Sequence, residues 1–365
     1  MKIICERSEL RAGINRVIKA VPVRTTMSIL ECILIDASSG VIRLTGNDME
    51  LCIETRVEGD ILETGSIAVS ARFFSDIVSK LADGDITITS DDSMKVEISC
   101  GNAKFHIIGK PAIDFTGLPN VEKTDSYMIS EFGLKEVIKQ TIFAISANES
   151  NPIMSGELFD FDTDRLRVIA LDGQRIAIRN VPLKKSSAAV KVIVPGKTMN
   201  ELGKILEDET EKDVEIFITD KHILFEFGKT SVVSRLIEGE YFKVDRMISS
   251  DYNTKVELNK KEFNECIDRA SLLVSEKDRT PIIATVSDEK IELKSQSHSG
   301  SMVDSVSAVK EGSDLVIGFN PKLVTDAIRV IDDEMITIYF VSSKTPFVIR
   351  NEEQTYTYLI LPINF

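Results

Sequence analysis

The chain has no tryptophan, only three histidines and only five cysteines. His106, His222 and His298 lie far apart in the sequence, so no pair has metal-ligand or acid–base spacing. The cysteines (Cys5, Cys32, Cys52, Cys100 and Cys266) are odd in number and include no C-x-x-C. That argues against a disulfide framework or a zinc ribbon and fits buried thiols in a reducing compartment. A P-loop and a G-x-S-x-G are both missing, so phosphate-cradling and serine-nucleophile chemistry have no motif to rest on. No apolar run approaches the roughly 18 residues of a membrane span. Met1-Lys2-Ile3-Ile4-Cys5-Glu6 lacks the basic-then-apolar order of a signal peptide. The expectation is a soluble, cytoplasmic protein that is not an enzyme and needs no cofactor or metal. Bases are outnumbered by acids, 44 to 58, for a net charge of −14. Spread evenly, that charge would disfavour a nucleic-acid partner.

What is present is repetition. Val69-Ser70-Ala71-Arg72-Phe73-Phe74, Val194-Pro195-Gly196-Lys197-Thr198-Met199 and Phe319-Asn320-Pro321-Lys322-Leu323-Val324 share one design, a strand end running into an amphipathic helix that opens on a base. Arg72, Lys197 and Lys322 are spaced 125 residues apart. This period is far above the roughly 20–50 residues of solenoid units, so it marks a whole domain used three times.

Each copy opens with a helix whose apolar residues recur on one face: about Ser8 to Val21, Glu131 to Ile145 and Lys260 to Leu273. A strand pair around a tight turn follows, at Val41–Asp48 and at Arg165–Ile178, where Asp172-Gly173 between apolar runs signals a hairpin. The third version, from Lys290, is more degenerate. The second helix comes next, and short alternating strands beginning near Asp85, Val214 and Met335 close the unit. The fold class is α+β, three tandem copies of two helices on antiparallel sheet. Polar, turn-rich stretches place the domains at 1–122, 127–248 and 253–365.

The charge is not spread evenly. The six helical segments carry 14 bases against 9 acids, leaving 30 bases and 49 acids for strands and loops. Helices sharing one basic surface and sheets forming an acidic one would let an acidic protein meet DNA on one side only.

Three further segments, Leu44-Thr45-Gly46-Asn47-Asp48-Met49-Glu50, Ala170-Leu171-Asp172-Gly173-Gln174-Arg175 and the ending Tyr358-Leu359-Ile360-Leu361-Pro362-Ile363-Asn364-Phe365, complete a resemblance over the full chain. The sequence resembles the bacterial sliding clamp, the beta subunit of the replicative DNA polymerase. The resemblance implies a homodimer joined head to tail into a ring, with helices toward duplex DNA and sheets outside. It implies a processivity factor that slides without sequence preference and tethers the replicative polymerase, the clamp loader and other clamp-motif proteins.

Residue by residue, the resemblance puts Arg24, Arg72, Asn148, Lys197 and Lys322 toward DNA. The 148–151 loop carries Glu149 and Asn151, and the Lys197 helix opens on Gly196, where the family can have more basic or aromatic residues. It implies a partner-peptide groove of Met154, Leu171, Gly173, Gln174, Arg175, Ile176, Phe242, Arg246, Met247, Leu359, Leu361, Pro362, Ile363 and Phe365. Gln174 and Phe242 stand where the family commonly has His and Pro. The apolar ending reads either as an ordinary last strand or as a groove wall. Phe73, Phe74 and Phe105 are expected to meet Leu272 and Leu273 of a second copy, although Phe73 and Phe74 are adjacent on one helix and only one of them can be spared from the core.

Two other readings follow from the residues. Asp160, Asp162 and Asp164 mimic the start of a calcium loop, yet Arg165 takes the required glycine position and Leu171 the required glutamate position. A polar hairpin turn fits better than a metal site or a carboxylate-dependent hydrolase. A repeat scaffold that binds proteins but not DNA is the other alternative.

Overall fold

The computed structural model describes residues 1–148, 150–208, 211–274 and 280–365. Six α-helices lie where the periodicity places them: α1 (Arg7–Val17), α2 (Ala71–Lys80), α3 (Glu131–Thr141), α4 (Gly196–Ile205), α5 (Lys260–Ser271) and α6 (Pro321–Arg329). α1 and α3 are shorter than expected because their last turns tighten into 3-10 turns, Ile18–Ala20 and Ile142–Ala144. Each stripe is buried as read: Leu10, Ile14 and Val17 in α1, and Phe263, Cys266, Ile267 and Ala270 in α5. Asn259 and Asn320 cap α5 and α6, their side-chain oxygens accepting backbone N–H bonds at 3.0–3.1 Å. Four cysteines are buried thiols as expected, and Cys100 is half-buried.

The described residues form two compact units that do not follow the sequence repeat. One comprises Met1–Leu134 with Lys197–Leu236, the other Lys135–Gly196 with Ile237–Phe365. The first unit holds a five-stranded sheet in the order Asp60–Glu63, Lys2–Glu6, Asp85–Ser90, Lys95–Cys100, Ala103–Ile108. It also holds an eight-stranded sheet, Ser126–Ser130, Asp213–Ile218, His222–Phe227, Thr230–Arg235, Leu51–Val57, Ile42–Asn47, Cys32–Asp36, Ser66–Ser70. The second unit holds twelve strands: Val190–Pro195, Gly156–Phe161, Arg165–Leu171, Arg175–Pro182, Tyr356–Ile360, Phe347–Arg350, Met335–Phe340, Thr254–Asn259, Gly300–Gly312, Lys290–Ser297, Ile282–Val286, Leu315–Phe319.

The units depart from the repeats because each repeat's closing strand pairs with a strand from the repeat before it. In the first unit Thr230–Arg235 runs antiparallel to Leu51–Val57, with Thr230 opposite Thr55 and Ser234 opposite Leu51. In the second, Tyr356–Ile360 meets Arg175–Pro182, with Tyr356 opposite Arg179 and Ile360 opposite Arg175. The two junctions have the same register. Counted from the start of each closing strand, its first residue faces the fifth residue of the strand that follows the hairpin turn. The third repeat is the degenerate one in sequence, yet its hairpin is the longest, Lys290–Ser297 paired to Gly300–Ser307.

One core residue runs against the usual rule for buried carboxyls. Glu157, in the strand Gly156–Phe161, is fully buried, and among the described residues neither oxygen makes a well-formed hydrogen bond, the Thr141 hydroxyl being near enough only to offset the burial in part. The nearby Thr141 hydroxyl donates instead to the Val137 carbonyl at 2.7 Å. Burial pushes the Glu157 carboxyl up to about 8, and it in turn raises the buried Tyr241 phenol beyond what burial does alone. Above the ordinary carboxylate range the unfolded chain ionises this group while the folded chain keeps it protonated. Stability therefore falls as pH rises from about 4.5 to about 8, by at most ~1.4 kcal/mol per pH unit. Urea midpoints at pH 5.5 and 7.5 should differ less in Glu157→Gln than in the parent, and the variant should be the more stable at pH 7.5. An unchanged pH slope would show that the carboxyl is ionised in the fold.

Candidate functional site

In the second unit, the hairpin joining Arg165–Leu171 to Arg175–Pro182 turns at Asp172-Gly173. Gly173 takes φ +89°, a left-handed conformation in which glycine avoids the Cβ clash. The Asp172 carboxylate holds the turn by accepting from the backbone N–H of Gln174 at 2.9 Å and of Arg175 at 3.1 Å. Met49 takes φ +78° in the corresponding turn of the first repeat, where Asp48 makes the same two bonds to Glu50 and Leu51.

Arg175 does more than line a rim. Its guanidinium donates to Asp172 at 2.9 Å and to Asp326 of α6 at 2.7 Å, and it lies over the Phe143 ring at 5.2 Å. With its side chain only 11% exposed, it clips the hairpin to α6. Nothing in the sequence marks Asp326 for this role; its i+4 position from Lys322 on α6 gives no sign of it.

Beside this clip lies an apolar floor. Leu158, Ile169, Leu171, Ile176, Tyr241, Val244 and Leu359 are buried in one cluster, with Ile153 and Met154 packed half-buried against it. The Tyr241 hydroxyl donates to the Gly156 carbonyl at 3.3 Å, which fixes the segment carrying Phe242 and Met247. Phe242 and Met247 are 37% and 54% exposed, while Gln174 and Arg246 are exposed polar residues of the same two segments. The two readings of the chain's ending divide between its residues. Tyr356–Ile360 is a buried strand, and from Leu361 the chain leaves the sheet. It stays tethered by Leu361 N–H to the Gln174 carbonyl (2.9 Å) and Ile363 N–H to the Gly318 carbonyl (2.8 Å). Gly318 is required there, since a Cβ would stand 2.7 Å from the Ile363 oxygen and from the Phe365 ring. Pro362 and Ile363 are half-buried, and Leu361 and Phe365 are exposed. All fourteen residues that the resemblance implied for a groove fall in the second unit. Leu171, Ile176 and Leu359 belong to the apolar cluster with Tyr241 and Val244, and Met154 packs against it with Ile153; the sequence reading did not name Ile153, Tyr241 or Val244.

The bases are exposed. In the first unit Arg24 sits in the loop after α1, and Arg72 and Lys197 are each the second residue of a helix. Lys322 has the same place in α6 of the second unit, where Asn148 is also exposed, in a loop stabilised by its own side chain bonding to Ser150 N–H. Glu149 lies outside the described residues. Lys197 is not a bare solvated base, because its ammonium bonds to the nearly buried Asp48 carboxylate. Cations at the first turn oppose the helix dipole by a few tenths of a kcal/mol each, so helix stability does not account for three of them.

Of the expected interface residues, Phe74 is corrected. It is fully buried on the inner face of α2, and Phe73, a residue earlier and so rotated about 100° around the helix, is 58% exposed. Phe105 and Leu272 are 37% and 83% exposed, and Leu273 is half-buried. The Asp160 carboxylate pairs with Lys191 at 2.7 Å, and Asp162 N–H closes the turn to the Arg165 carbonyl. Among the described residues no group of three or more candidate ligands is placed to hold a metal ion.

The chain matches, in order, the N-terminal, central and C-terminal domains of the DNA polymerase III beta subunit at residues 1–119, 128–243 and 245–364. It is 34% identical to the beta sliding clamp of Staphylococcus epidermidis and 35% identical to that of Staphylococcus aureus, covering 100% of this chain and 99% of each relative. Among solved structures, a putative DNA polymerase III beta subunit from Eubacterium rectale is 54% identical with a TM-score of 0.97. The DNA polymerase sliding clamp of Bacillus subtilis is 35% identical with a TM-score of 0.96. Both comparisons cover 100% of this chain and 99% of the other. With its three-fold repeat, its clamp fold and these matches over the whole length, the chain belongs to the DNA polymerase III beta subunit family, the beta sliding clamps.

Proposed function

We propose that this chain is the non-catalytic processivity subunit of a replicative DNA polymerase: two copies close head to tail into a ring around duplex DNA, and the apolar groove tethers the polymerase, the clamp loader and other partners. The observation that carries the reading is the repeated strand junction. Two junctions of one register lie within the chain, and half of a third is left at each end of the series. Among the described residues Ala103–Ile108, which closes the first repeat, pairs on one side only, with Lys95–Cys100. Gly300–Gly312, the third repeat's counterpart of Leu51–Val57 and Arg175–Pro182, pairs along its first half with Lys290–Ser297 alone. Both edges carry exposed apolar side chains, Phe105 and Ile108 on one and Val303 on the other. Such edges pair with another strand unless blocked. Joining the two edges of different copies supplies the missing junction twice in a dimer.

The register of the internal junctions supports a matching register for this seam. Ala103 of one copy faces Asp304 of the other, Phe105 faces Met302 and Ile107 faces Gly300. Phe73, Leu272 and Leu273 then have an apolar surface to cover. Oxidation of Phe105→Cys mixed with Met302→Cys should give cross-linked dimers. Facing residues bring Cβ atoms to about 5 Å, whereas a two-residue offset opens this to roughly 7–8 Å. Phe105→Cys with Ser305→Cys, three residues out of register, should therefore stay monomeric on a denaturing gel. The reverse pattern would overturn the register, and no cross-link in any register would overturn the seam.

A ring is held on DNA by topology, so its lining needs attraction without tight contact, and exposed bases at Arg24, Arg72, Lys197 and Lys322 with polar Asn148 meet that requirement. Neutralising Arg24, Arg72 and Lys197 together should weaken binding to duplex DNA and flatten its salt dependence, by roughly 0.9 in log–log slope for each DNA phosphate that no longer meets a base. Lys197 should contribute least, because Asp48 already neutralises it. Titrations at several salt concentrations would show the effect, and an unchanged slope would remove these residues from the DNA surface.

In the groove, exposed Phe242, Met247, Leu361 and Phe365 above a buried apolar floor fit a short peptide that inserts two or three apolar side chains. Removing Pro362–Phe365 takes away one wall while leaving the strand Tyr356–Ile360 whole. The truncated dimer should bind a labelled Gln/Leu/Phe-containing peptide at least ~30-fold more weakly by fluorescence anisotropy, the loss of about 2 kcal/mol typical of one anchor. Equal affinity would show the ending to be only the margin of the sheet.

A further inference from the structure

Each of the two strand junctions within the chain is accompanied by an ion pair between helical segments. Arg16 of α1 meets Glu207, just past α4, at 3.3 Å, and Lys139 of α3 meets Asp332, just past α6, at 3.5 Å. In both, a base near the end of one repeat's first helix reaches an acid behind the next repeat's second helix. That acid directly follows the buried residue that closes the helix, Leu206 before Glu207 and Ile331 before Asp332. Each pair therefore crosses the same repeat boundary as a strand ladder.

The third repeat's first helix, α5, carries the corresponding base with no following repeat to meet it. Arg269 stands one residue before the last buried position of its helix, Ala270, as Arg16 does before Val17. Its Nε and Nη2 are held by Asp304 at 2.7 and 2.6 Å, and Asp304 is the residue that the proposed seam sets opposite Ala103 of a second copy. Arg269 is thus anchored beside the open edge of Gly300–Gly312, its side chain 53% exposed. A guanidinium has five donors in a fixed fork, so Asp304 leaves others to reach outward. Asp268, which has the place of Lys139, is engaged by Arg329 of the same repeat at 3.4 Å and leaves the role to Arg269.

The matching acid lies in the first repeat. Leu81 is the buried residue that closes α2, and Ala82 follows it where the other repeats have Glu207 and Asp332. The acid comes one residue later, as Asp83. Its side chain is 96% exposed and paired with Arg7, whose guanidinium also donates to the Val78 and Ser79 carbonyls at 3.1 and 2.9 Å. Arg7 therefore fixes Asp83 at the end of α2 and leaves its outer side open. We propose that Arg269 of one copy pairs with Asp83 of the other, an electrostatic latch at each seam that favours the head-to-tail partner. Resting on the ring reading, the latch adds to it the side chains that make closure depend on charge. Both partners are exposed, so the pair contributes about threefold in affinity at each seam. A dimer closes two seams, which doubles the effect in free energy, and salt screens it.

Sedimentation equilibrium of the full-length protein tests this, at low salt and at about 1 M salt, where charges are screened within roughly 3 Å. At low salt Arg269→Glu and Asp83→Arg should each raise the dimer's dissociation constant about tenfold, the two-seam effect of one exposed pair. Combined, the two reversals should bring it back to within about threefold of the parent, a rescue that a merely structural role of either residue would not give. Arg16→Glu, at a junction inside one unit, should leave the constant unchanged. At about 1 M salt all variants should fall within about threefold of the parent. Asp83 is almost fully exposed, so its variant keeps the test decisive should loss of the Asp304 contact unfold Arg269→Glu. No rescue in the double variant, or an equal effect of Arg16→Glu, would overturn the latch and leave the ring standing. A parent that sediments as a monomer at every concentration would overturn the ring, and the latch with it.

Discussion

The backbone ladder between one repeat's closing strand and the hairpin of the repeat before it is the constraint on which the rest of this structure depends. A repeat of this size can bury its own helices, but its closing strand is left with a bare edge, and each edge N–H and C=O seeks a partner. The chain meets that need by lending the strand across the repeat boundary, at Thr230–Arg235 with Leu51–Val57 and at Tyr356–Ile360 with Arg175–Pro182. Sheets of eight and twelve strands follow, and the compact units cut through the middle repeat. The same rule leaves Ala103–Ile108 and the first half of Gly300–Gly312 each with one unpaired edge among the described residues, the two edges that the proposed seam would join.

The groove is a by-product of the same ladder. Pairing of Tyr356–Ile360 with Arg175–Pro182 brings the chain's last residues beside the Asp172-Gly173 turn, and the bond from Leu361 N–H to the Gln174 carbonyl extends that contact past the strand's end. Arg175 then joins turn to helix through Asp172 and Asp326. Its charge is spent on carboxylates within the fold, and the exposed side chains of the same unit that the proposed groove uses are apolar: Phe242, Met247, Leu361 and Phe365. Partner binding of this kind gains from burying a few anchors in a preformed site.

Much of the architecture was legible in the residues. The helix stripes, the recurring base at the second position of α2, α4 and α6, and the Asp-Gly turn are local, set by side-chain period and by which residues tolerate a left-handed backbone. Phe73 and Phe74 were ambiguous only as to which faces inward, because adjacent positions on a helix differ by a rotation that a single helix does not anchor. The third hairpin was hard to read because polar Lys290–Ser297 lacks the apolar runs of its counterparts, yet it forms the longest pairing through backbone bonds that do not depend on side-chain type. The engagement of Lys197 by Asp48 and the burial of the Glu157 carboxyl gave no sequence signal at all.

The sequence by itself determined that one α+β unit occurs three times, that basic charge concentrates on helices and that the chain ends on an apolar segment. These are properties of neighbouring residues and of their period. Only the tertiary structure decided which strands cross repeat boundaries and in what register, and hence which edges are left open. It alone divided the last ten residues between buried strand and exposed wall, and spent or spared each arginine's charge. Those outcomes depend on partners that lie far away in the chain, such as the 151 residues separating Arg175 from Asp326 and the 149 between Lys197 and Asp48. Pairing at such separations is selected by the packing of the whole sheet, and it leaves no local pattern from which to read it.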